Sequence, residues 1–177
     1  MKTAGMPANM GGTMQIHMND SALREYLVRV LEGHGAHITF DQAIADFPAE
    51  KMGARVEGLD HSPWGLVYHM EACLSDIIEF IRYTDYTYPD YPSGLWPDTD
   101  GPASAAEWDR TVAAVKESIK VLSEMIRDEN NDIFAPFPHS ARHTLFNEAI
   151  TAADHNSYHI GQIVDIRLLL GIPVKDW

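Results

Sequence analysis

From Thr144 to Leu170 the chain keeps helical periodicity without a proline, and Gly171 and Pro173 then stop it. Its apolar stripe, Leu145, Ala149, Ala152, Ile163, Ile166 and Leu170, needs other helices to lie against. The same stripe carries His155 and His159. Four residues is just over one turn, so both rings leave one face, about 40° apart around the axis and about 6 Å apart along it. Burying an unpaired imidazole costs roughly 1 to 3 kcal/mol, so the pair either hydrogen-bonds across the core or grips an ion. Two ligands are too few for a catalytic metal site, which usually has three protein ligands and an open position. A third must come from elsewhere in the chain.

At 177 residues the chain fits one domain with a tail, and a globule of this size buries about 70% of its unfolded surface. Residues 1–20, rich in Met, Gly, Ala and Asn, read as a flexible leader, with Met14 an alternative start, and residues 21–177 as the folded domain. A net charge of -13 argues against nucleic acid and against an anionic membrane surface as partners. The one cysteine, Cys73, excludes an internal disulfide, and with no signal peptide or membrane span a cytoplasmic protein is expected.

A first long helix is expected from Ser21 to about Asp46, with Gly33 and Gly35 as weak points and His34 and His37 as a polar or half-buried pair. Residues 48–61 read as a connection. Ser62 as N-cap and Pro63 at the first helical position open a second helix. His69 lies on the edge of its apolar stripe, aimed at the interior, and is the natural third ligand. Cys73, on that stripe without a basic neighbour, reads as packing rather than as a nucleophile. Tyr83 to Pro102 is a long connection rich in Tyr, Pro and Trp, suited to capping the bundle, lining a substrate pocket or making a dimer contact. Ser104 and Glu107 form a capping-box pattern at the start of a third helix, which carries no histidine. Asp128 to Arg142 reads as a loop, with His139 and His143 exposed at its border. Protease HExxH, di-iron ExxH, dinucleotide, phosphate-loop and nucleophile-elbow motifs are all absent.

Three stretches resemble the DinB-like (DinB/YfiT) superfamily: His61-Ser62-Pro63-Trp64 through Tyr68-His69-Met70, the Tyr/Pro/Trp-rich connection, and His155-Asn156-Ser157-Tyr158-His159-Ile160-Gly161-Gln162 ending in Leu168-Leu169-Leu170-Gly171. The match runs in order over about residues 21 to 173. It implies an all-α four-helix bundle with long interhelical connections, and a metal triad formed by one histidine on the second helix and an HxxxH pair on the fourth. Those positions are His69, His155 and His159 here, with zinc or nickel the ions expected. Relatives in the superfamily include metal-dependent transferases and isomerases that use low-molecular-weight thiols such as bacillithiol or mycothiol. The resemblance therefore implies a thiol S-transferase or isomerase acting on a small electrophile, with a homodimer plausible for the family. Around the triad, Gln162 could orient a ligand ring, and His37, Tyr158 and Trp64 are further candidates for its surroundings or pocket. Catalytic residues are not assignable. The alternatives are a non-catalytic bundle with a structural ion and a partner-binding surface, and a metal-dependent hydrolase that would need a general base.

Overall fold

The computed structural model describes residues 20–174, in which α1 spans Asp20–Leu31, α2 Phe40–Ile44, α3 Pro63–Arg82, α4 Ala105–Arg127 and α5 Leu145–Leu169. The described chain is mainly helical, in keeping with the all-α class. The expected leader lies outside the described residues except for Asp20, which opens α1.

Local chemistry sets the ends of the helices that matter for the site. Ser62 Oγ accepts the Gly65 N–H at 3.0 Å, satisfying one orphan donor at the start of α3. Thr144 Oγ1 does the same for Asn147 at the start of α5, at 3.2 Å. At the other end of α5, Gly171 adopts φ +70° and Ile172 N–H returns to Arg167 O at 2.8 Å, closing a Schellman motif. At α4, Ser104 Oγ accepts the Glu107 N–H, but the Glu107 carboxylate accepts from Ala103 rather than from Ser104, so the capping box is displaced by one residue.

Three expectations are corrected. The single helix from Ser21 to Asp46 breaks at Gly33, whose φ of +78° lets His34 N–H close a second Schellman motif on Arg29 O at 2.9 Å. The chain restarts at Thr39, which forms a full capping box with Gln42 and begins α2. His34 and His37 are exposed in the intervening turn. The segment expected to be a loop from Asp128 to Arg142 contains β1, Pro136–Phe137, paired antiparallel with β2, Ser140–Thr144. Strands this short show no readable alternation. His139, in the turn between them, is half-buried rather than exposed, with its ring centroid 4.8 Å from that of Phe80. His143 is exposed, yet its Nδ1 lies 2.7 Å from the buried carboxylate of Glu148.

Helices α1 and α3 each pack against both α4 and α5. Val28, Met70, Val115, Leu122, Ile126 and Ile163 are fully enclosed between them. Two buried arginines tie element ends together. Arg24 donates to the carbonyls of Ile126, Asp128 and Asn131 at the end of α4. Arg167 donates to Ala43 and Ala45 at the end of α2 and to Pro173. The long connection after α3 folds back on the start of that helix. Ser62 Oγ donates to Asp100 O, and a Cβ built on Gly53 would lie 2.7 Å from the Cα of Gly101. Among the described residues no helix is long and apolar enough to cross a membrane.

Candidate metal centre

Helix α3 presents His69, and α5 presents His155 and His159 across the same seam. The Nε2 of His155 lies 3.1 Å from the Nε2 of His69 and 3.1 Å from the Nε2 of His159. The ring centroids of His69 and His159 are 4.9 Å apart, so all three rings face one another. Hydrogen bonds at the far nitrogens fix two tautomers. His69 Nδ1–H donates to Leu95 O at 3.0 Å and His159 Nδ1–H donates to Gln162 Oε1 at 2.7 Å. Each thereby keeps a lone pair on Nε2.

Burial favours the neutral rings. His69 and His155 are both pushed down to about 4, chiefly by burial, and then by neighbouring histidines after the opposing Leu95 bond at His69. His159 is also lowered, by burial, against the opposing effect of its Gln162 bond. The two separations of 3.1 Å at His155 Nε2 are those of nitrogens that can share one cation. Two metal–nitrogen bonds of about 2.05 Å at 90 to 109° put the nitrogens about 2.9 to 3.3 Å apart.

Cys73, expected as a packing residue, packs against the His69 ring. Its Sγ lies 3.6 Å from His69 Nδ1 and 3.7 Å from Nε2, one turn along α3. His69, Cys73 and His155 together form a group, with ligand atoms within 4.8 Å of one another, that could hold a metal ion. Burial, and then the charge of Asp76, push the thiol up to about 12, so on its own it is no nucleophile.

The remaining sequence candidates divide. Tyr158 is exposed, sets its ring edge-on to His159 at 5.1 Å, and accepts a long hydrogen bond from Gln162 Nε2. His37 touches α5 through Ser157 Oγ at 2.9 Å, and Trp64 is buried in the core edge-on to Tyr68. Among the described residues neither of these two hydrogen-bonds to or stacks on the three rings. What sequence reasoning missed is the stack above His69: the Trp96 ring lies 3.8 Å from His69 and 3.9 Å from His61, parallel to both within 11°. The only sequence trace of it is the aromatic richness of the connection, since stacking leaves no spacing pattern. Trp96, His61, Tyr158, His159 and Gln162 line a cavity of about 330 Å³ on one side of the rings. A second cavity, of about 240 Å³, has Cys73 and His155 in its lining.

Comparisons with protein-family models, with curated proteins and with solved structures return no match for this chain.

Proposed function

We propose that His69, His155 and His159 hold one divalent ion, zinc or nickel, in a DinB-like four-helix bundle, and that the protein is a metal-dependent transferase or isomerase joining a low-molecular-weight thiol to a small electrophile. One observation carries the metal reading. An imidazole nitrogen has one in-plane site, a lone pair or a proton, yet His155 Nε2 sits 3.1 Å from two other ring nitrogens. It can point one straight hydrogen bond at only one of them, whereas three lone pairs can share one cation.

The chain's own residues would prepare that site. Leu95 O and Gln162 Oε1 hold the His69 and His159 rings in the tautomer that points Nε2 inward. Trp96 covers the face of His69 and limits water there. The adjoining cavity of about 330 Å³ gives a small substrate access to His159. When bound, such an ion supplies Lewis acidity that draws down the pKa of a thiol reaching it.

Cys73 favours a second reading, in which its sulfur closes a fourth position and the ion is structural. Elemental analysis of wild type, His159→Ala and Cys73→Ser separates the two. About one ion per chain is expected in wild type and in Cys73→Ser, with the ion lost from His159→Ala. Equal metal in wild type and His159→Ala removes the triad. A sulfur-to-cobalt charge-transfer band in cobalt-loaded wild type, absent from Cys73→Ser, would favour the closed site. Thiol consumption with an electrophilic acceptor should vanish on chelation and in His69→Ala; activity surviving both rules out the mechanism.

A further inference from the structure

The cavity of about 240 Å³ between α3, α5, β2 and the aromatic connection holds groups that the metal site does not use. At its far end Asp76 from α3 and Glu148 from α5 enter the lining together. Glu148 is 7% exposed, and its carboxylate lies 2.7 Å from Nδ1 of the basic His143 ring. Asp76 accepts from the Tyr86 hydroxyl. Among the described residues no lysine or arginine pairs with either carboxylate. The Asp76 carboxyl is held above its ordinary range by burial first, and then by the charges of Glu148 and Glu79. The Tyr86 phenol donates its hydrogen bond to Asp76 without cancelling the charge of that carboxylate.

Aromatic faces surround the same spot independently of the acids. Phe80 is buried, with Tyr88 at 5.8 Å and Tyr86 edge-on at 6.0 Å between centroids. Ring faces beside a carboxylate without a basic partner, as Asp76 is among the described residues, are the environment in which an organic ammonium is stabilised by both cation–π attraction and ion pairing. We propose that this cavity binds a small organic cation, its ammonium against Asp76 and Glu148 and its apolar body along Phe80 and Tyr88. Glu148 precedes His155 by two turns of α5, about 10 Å along the axis, so the far end of such a molecule reaches toward Cys73 and His155. Only that orientation rests on the metal reading; the cation site does not need the ion.

The test is calorimetric titration of the full-length protein as purified with benzylammonium, benzyl alcohol and benzoate, three probes of one shape and different charge. Benzylammonium should bind at least about tenfold tighter than the other two, and Asp76→Asn should weaken it about tenfold, the worth of one charge-assisted contact. Glu148→Gln should act in the same direction. Because loss of the His143 bond can unfold that variant, Tyr88→Leu at an exposed position supplies the second arm and should weaken binding several-fold. Addition of chelator should leave the benzylammonium affinity unchanged, which separates this site from the metal proposal. No binding of benzylammonium up to about 10 mM, equal affinity for benzyl alcohol, unchanged affinity in Asp76→Asn, or loss of binding on chelation would each overturn it.

Discussion

His69 and His155 are poised to be neutral because the fold leaves little water around them, and that has a sign in the pH dependence of stability. Their folded pKa values, about 4, lie below the 6.5 of an unconstrained ring. Between those values the unfolded chain binds protons that the fold does not, so acidification from pH 6.5 toward 4 favours unfolding. Asp76 and Glu71, whose carboxyls burial pushes up, work the opposite way. The histidine contribution is therefore the difference between wild type and His155→Leu in metal-free buffer. Thermal melts should show wild type losing more stability across that window than the variant, and parallel curves would contradict the shift. Residue by residue, the His155/His159 pair and His69 were legible because helical spacing places rings on a face. Cys73 lies on the same side of α3, one turn beyond His69, but an apolar stripe gives no sign that its sulfur meets a ring. Trp96 was illegible for a different reason. Its place over His69 depends on how a connection without regular structure folds back.

That fold-back is held at the level of elements by a backbone crossing. The Cβ of an alanine at Gly53 would meet the Gly101 Cα at 2.7 Å, a separation that forces one of the two segments to move. Gly53→Ala is expected to destabilise the protein by about 1 to 3 kcal/mol, seen as a lowered urea midpoint with an unchanged slope. A midpoint equal to wild type would mean that the two segments yield without strain. Helix starts were readable where an N-cap side chain stands before an apolar stripe, as at Ser62, Ser104 and Thr144. The break after α1 was not, because Gly33 in the left-handed region ends a helix whose apolar periodicity continues past it. The β1–β2 hairpin escaped notice because its longer strand, Ser140–Thr144, is largely exposed and lacks a buried alternating face.

Across the whole molecule, helix ends are joined by buried guanidinium groups rather than by apolar contact alone. Arg24 satisfies carbonyls of Ile126, Asp128 and Asn131 and pairs with Asp20, so α1 and the end of α4 share one set of bonds. Arg24→Met keeps the stem but strands those carbonyls, and should cost about 2 to 5 kcal/mol, read as a lowered melting temperature. A change below about 0.5 kcal/mol would show that water replaces the guanidinium. No pattern of spacing announced this role, since an arginine on an amphipathic helix ordinarily faces solvent. The Trp96 ring, held flat between His61 and His69, gives the molecule one more property: an optical one. If His69 ligates a metal as proposed, the stacked indole would lie close enough to a bound nickel or cobalt ion for its emission to be quenched. Titration with either metal should dim the fluorescence in proportion to site filling, and Trp96→Phe should abolish most of that response while the other tryptophans still emit. The protein would then report its own loading without an added dye.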